Sequence, residues 1–199
     1  MKSNTTGQEL KEQLDLIQTM IAEGRQSTQS WGWSFLLWGV AYYIAAAWTM
    51  LGHTYWAWPV TMTVAIVLSA IIGSRVSRGH PETVFGRAIG SVWKVMGVTL
   101  FVVLAGLGVS GHYNIHVYMA IIGGMLAVAN GTSSLILRWK MQFVCGLMWL
   151  GAGVAGSFGS ENQAAIAFLA AVFFCQIVFG IYAMMLDARR RAPRGAAHV

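Results

Sequence analysis

Two short stretches of the chain carry the spacing of a nucleotide-binding loop. GLGVSG at 106–111 and GAGVAG at 151–156 both fit G-x-G-x-x-G, in which glycines let the backbone approach a pyrophosphate at a helix N-terminus. That chemistry needs a preceding strand, a turn into a helix and an acidic residue about 20 positions on. Residues 106–111 instead end an apolar run, Val102-Val-Leu-Ala-Gly, with no acid at the required distance. Residues 151–156 are followed by Glu161, which comes too soon. Neither stretch is a dinucleotide loop, and no cofactor is expected. In a membrane helix, glycine serves differently, because small residues let two backbones pack closely where lipid supplies no hydrophobic drive. Gly123, Ala127 and Gly131 recur every four residues, and Ala152-x-x-x-Gly156 repeats the device. The glycines of both stretches are therefore read as packing surfaces.

A second constellation is His53, His112, His116 and Glu161. Imidazoles and a carboxylate are zinc ligands, and these four fall near the ends of apolar runs on one side. An Asn114 cap would leave His112 outside the following helix, and the four-residue spacing to His116 would lapse. Ordinary interfacial histidines are the plainer reading. Polar uncharged residues form a third group: Asn130, Thr132, Ser133 and Ser134 in one run, and Gln176 near the middle of another. They suit hydrogen bonds between helices, worth about 1 kcal/mol or less each. The alternative is the lining of a small polar cavity beside Gly131. Cys145 and Cys175 are expected at different depths and are read as small hydrophobes rather than a disulfide or a metal pair. No run holds an Asp or Glu at depth, and no H-E-x-x-H or paired aspartate is present. Proton-coupled transport and intramembrane proteolysis both lack their usual ionisable groups, and no enzymatic activity is expected.

The elements that must hold these residues follow from composition. Of 199 residues, 56% are apolar and only 10% charged, against roughly a quarter charged in soluble domains. Crossing a bilayer takes about 20 mostly apolar residues. Six such runs are present, at 31–51, 56–73, 91–110, 115–137, 141–158 and 164–186. The expected fold is all-α: a polytopic membrane bundle of six transmembrane helices, with an N-terminal amphipathic cytoplasmic helix. Residues 1–30 form that helix and its linker, 31–186 the transmembrane domain and 187–199 a basic tail. The polar first 30 residues do not read as a cleavable signal.

Charge gives an orientation. All 13 Lys and Arg lie in 1–30, 74–90, 138–140 or 187–199, or, for Lys94, one turn inside a run. The positive-inside rule then places both termini in the cytoplasm. The net charge of +6 matches an anionic inner leaflet, and nucleic acid is not an expected partner. Trp31, Trp33, Trp93 and Trp139 would sit at the inner interface, and Tyr55, Trp56, Trp58, Tyr113 and Tyr118 at the outer one. Gly-His recurs at 52–53 and 111–112, and Gly39, Gly97 and Gly146 open similar motifs. These rhymes fit three tandem hairpins in one orientation, an arrangement that some transporters use.

The N-terminus opens on Thr6-Gly-Gln-Glu9, a capping-box pattern. Leu10, Leu14, Ile17 and Ile21 follow on one helical side. Gly24 reads as the stop and 25–30 as a linker. Interfacial helices are rich in Lys and Arg, whereas this one sets Glu9, Glu12, Asp15 and Glu23 against Lys11 and Arg25. Contact with protein is preferred to the bilayer surface: a short coiled coil with a second copy, docking on the chain's own basic inner loops, or capture by another membrane or cytoplasmic protein.

The segment EQLDLIQTMIAEGRQSTQSWGW at 12–33 resembles the start of uncharacterised bacterial integral membrane proteins, in which a short charged helix leads into a Trp/Gly-rich first span. The resemblance implies a bacterial cytoplasmic (inner) membrane and carries no activity. The expected role is a non-enzymatic accessory, sensory or assembly protein that binds through its N-terminal helix. A small-solute transporter or channel is the alternative, and an outer-face metal sensor the third reading.

Overall fold

The computed structural model describes residues 3–52, 56–77, 84–112 and 114–195. His53, Tyr55, His80, Glu82 and Tyr113 lie outside the described residues. All regular structure among the described residues is helical: α1 (Ser3–Gln29), α2 (Gly32–Gly52), α3 (Ala57–Ser77), α4 (Val84–Val109), α5 (Ile115–Leu137), α6 (Lys140–Phe158), α7 (Glu161–Val172), a π-helical turn (Phe173–Val178) and α8 (Phe179–Gly195). The last three run on as one rod. Six of the resulting seven rods are long and apolar enough, by length and composition, to cross a membrane. The seventh is α1.

Local chemistry sets the rod ends. Gly111 has φ +75°. Its N–H donates to the Gly108 carbonyl (3.2 Å), and the His112 N–H donates to the Leu107 carbonyl (3.1 Å). This is the paired-bond C-cap that glycine favours, since no Cβ opposes the left-handed turn. Three residues on, the Asn114 side chain accepts from the His116 N–H (2.9 Å) and opens α5. His112 is thus outside the helix, as an Asn114 cap requires. Ser160 and Gln163 form a reciprocal capping box at the start of α7. Between α5 and α6 the chain turns through Arg138, itself left-handed at φ 49°, with the Trp139 N–H returning to the Ser134 carbonyl (3.0 Å).

The core is made by α2, α5, α6 and the α7–α8 rod. Its aromatic spine is Phe35, Tyr42, Trp149, Phe168 and Phe179. Phe35 meets Trp93 and Phe179 edge-on at 5.3 and 5.1 Å, and Phe168 meets Tyr42 edge-on at 5.5 Å. Such edge contacts add to plain burial through ring electrostatics. α3 packs on α2, while α4 leans on α5 and α1. Val95, Val98, Phe101 and Val102 of α4 face outward, a face suited to lipid rather than water. Neighbours in sequence pair as the hairpin reading anticipates, yet the tightest packing, α5 on α6, joins two of the expected hairpins.

Helix α1 departs from the sequence expectation. It begins at Ser3, so Thr6 lies inside it, and it continues through Gly24 to Gln29. Gly24 does not stop the helix. A Cβ there would stand 2.8 Å from Phe85 Cβ and 3.1 Å from Leu137 Cδ2. Glycine costs a helix interior about 1 kcal/mol, and here it permits α1 to dock on α4 and α5.

Candidate functional site

Two seams of small residues hold the bundle together. On α5, a Cβ added at Gly123 would stand 2.6 Å from Gly153 Cα and 2.8 Å from the Trp149 carbonyl oxygen, so the α5 and α6 backbones touch. Gly156 packs on the Met119 side chain, and Gly146 on the Gly131 nitrogen and Ala127 oxygen. The second seam sets Gly32 and Gly39 of α2 against the last rod: Gly32 meets the Gly180 oxygen, and Gly39 meets Ile177 and Gln176. The packing role read for GAGVAG therefore holds at Gly153 and Gly156. It fails at Gly151 and Gly106, where an added Cβ would meet nothing within 4 Å. Gly111 serves the turn instead.

The α5–α6 seam brings buried polar groups together toward the end of the bundle that carries α1. Asn130, Ser133 and Ser134 are buried, and Thr132 is half-buried. Ser133 Oγ accepts from Trp93 Nε1 of α4 (3.1 Å), a bond between helices. Ser134 donates to the Gly131 carbonyl (2.7 Å), a bond within its own helix. Asn130 Nδ2 donates to the Leu126 carbonyl (2.8 Å), which leaves Oδ1 without a partner. Across the seam, Gln142 is completely buried and neither amide atom has a partner. The indole nitrogen of buried Trp149 also has none. An unpaired polar group in apolar surroundings costs roughly 2–7 kcal/mol, depending on the reference state.

Gln142 and Trp149 escaped sequence reasoning. The available signal was their phase: 142, 146, 149, 153 and 156 form one stripe on α6, and the glycines of that stripe face α5. Gln176 is buried in the π-helical turn, against Gly39 of α2. At the entry to that turn Tyr43 of α2 donates to the Leu169 carbonyl (2.9 Å). π-turns insert a residue into a helix and are frequent at functional sites.

The cysteines need a correction. Rather than lying at separate depths, Cys145 and Cys175 are adjacent and buried, with Cys175 Sγ donating to the Cys145 carbonyl (3.6 Å). Counted from the Gly159–Ser160 turn, Cys145 lies 14 residues back and Cys175 15 residues on, so the true start of α7, earlier than the apolar run at 164, sets them level.

At the opposite end, His116 Nδ1 lies 2.7 Å from the Gly156 carbonyl and His112 Nδ1 lies 3.0 Å from Ser110 Oγ. Glu161 is exposed in the first turn of α7. Among the described residues no three His, Cys, Asp or Glu gather as a metal site; His53 is outside them. An apolar groove of about 550 Å³ runs between α4 and α5 past Val92, Val95, Met96, Gly124 and Val128. Neither Gln142 nor Gln176 lines it.

Helix α1 offers a different kind of surface. Its Gly24 end is seated on Phe85 and Leu137. Toward the N-terminus, Leu10, Leu14 and Ile17 are 58%, 52% and 49% exposed, while Met20 and Ile21 are half-buried. Glu9, Glu12 and Asp15 are exposed on the same stretch.

These features define an all-helical bundle with six rods of membrane-spanning length and one helical arm. Comparison with known proteins finds no matching family model, no similar curated protein and no similar solved structure.

Proposed function

We propose that this chain is a multi-pass protein of a bacterial inner membrane, with both termini cytoplasmic. It acts without enzymatic chemistry, as an accessory, sensory or assembly protein that engages a second copy or another protein through α1. The observation that carries this reading is an arm anchored at one end, with Leu10, Leu14 and Ile17 exposed at the other. Each is about half exposed, so covering it is worth about 1–1.5 kcal/mol, half the value for burying a whole Leu or Ile, and the stripe favours a partner. The acidic residues beside it disfavour an anionic leaflet and favour protein.

Photo-crosslinking from position 14 in native membranes tests this. The expected adduct has twice the chain's mass, or the mass of the chain plus another protein. Leu14→Glu with Ile17→Glu should abolish it and leave the melting temperature of the bundle unchanged. Adducts confined to lipid, or to the chain's own loops, would refute the reading.

A small-solute transporter or channel is the second reading, favoured by the unpartnered Gln142 and Asn130 atoms between spans. It predicts solute flux in liposomes that Asn130→Ala or Gln176→Ala reduces.

A further inference from the structure

Four buried side-chain atoms of α5 and α6 have no hydrogen-bond partner: Gln142 Oε1 and Nε2, Asn130 Oδ1 and Trp149 Nε1, the Trp149 ring packing on Phe168 of α7. Their levels follow from the packing. A Cβ on Gly146 would stand 3.1 Å from the Gly131 nitrogen and 3.5 Å from Asn130 Cβ, so position 146 faces 130–131. Gln142 lies one turn from Gly146 toward the α1 end, and Trp149 one turn away from it. The Asn130 amide is drawn to the Leu126 carbonyl, toward the Trp149 level. An acceptor and a donor are thus left at the level of Asn130 and Trp149, and a donor with an acceptor on Gln142 one to two turns nearer α1.

We propose that α5 and α6 bind neutral hydrogen-bonding molecules of water's size at two levels, with bound water held by Gln142 at one and by Asn130 and Trp149 at the other. Charge excludes an ion, because no Asp, Glu, Lys, Arg or His side chain is buried among the described residues, and a buried ion without a countercharge is prohibitively costly. Balance favours water, which donates and accepts through about three bonds. Toward the far end, Gly123 and Gly153 bring the two backbones into contact. The proposal is independent of any partner of α1.

Water-contact NMR on the whole chain in lipid nanodiscs tests it, with side-chain amide nitrogens labelled and Gln142→Met used to assign the Gln142 signal. The wild-type Gln142 amide should show magnetisation transfer from water, and Gln142→Met should lose that signal alone. Melting temperature gives a second readout. Removing an amide already satisfied by water should leave it within about 4 °C of wild type or lower it, whereas removing two unsatisfied atoms should raise it by more. A wild-type amide without water contact overturns the proposal. So does a Gln142→Met variant that melts more than about 4 °C higher.

Discussion

Adjacent glycines on α5 permit a paired test of the seam. At Gly123 an added Cβ would stand 2.6 Å from Gly153 Cα and 2.8 Å from two further backbone atoms, whereas at Gly124 it would meet nothing within 4 Å. Ordinary contact begins at 3.4 Å, so Gly123→Ala must part the two backbones by about 0.8 Å. No flexible side chain can absorb that shift, because every clashing atom belongs to the main chain. Overpacking of this kind costs about 1–3 kcal/mol, against a helix-propensity gain of up to about 1 kcal/mol for Gly→Ala. The net loss should be about 1–2 kcal/mol, or roughly 2–8 °C in melting temperature for a chain of this size. Gly124→Ala collects the propensity gain without the clash and should melt at or above wild type. Thermal melts of both variants in one detergent, followed by loss of the monodisperse peak, make the comparison. If Gly123→Ala melts with the wild type, or both variants fall equally, backbone contact is not what holds α5 to α6.

Two further outcomes follow from the turns and the charge pattern. Gly111→Ala should destabilise by about 1 kcal/mol, because a Cβ opposes the left-handed turn at φ +75°; a denaturation midpoint unchanged from wild type would contradict the cap. A cysteine at exposed Arg189 should react with an impermeant thiol reagent only after cells are opened, while one at exposed Asn162 should react in intact cells. The two native cysteines are buried and should give little background. The reverse pattern would invert the sidedness assigned from Lys and Arg.

Much of the architecture was legible before any coordinates. Runs of apolar residues without charge can only be long buried or lipid-facing helices, since a helix satisfies its own backbone. The Asn114 cap was equally readable, because it depends on chemistry within one turn. Gly24 shows the limit of such local reasoning. A helix stop and a close helix–helix approach both select glycine, and only the positions of Phe85 and Leu137 decide between them.

The sequence by itself determined the class of molecule: six rods of spanning length, Lys and Arg gathered in alternate connections between them, and a polar N-terminal segment. These depend on composition and on periodicity within single helices. Tertiary structure alone decided which small residues became contacts, for Gly153 touches α5 while Gly151 touches nothing. It also turned Cys175 toward Cys145 and left Gln142 buried and unpaired. The physical reason is rotation. Each rod can turn about its own axis with little change in hydropathy, and the facing partner fixes that angle through atomic fit.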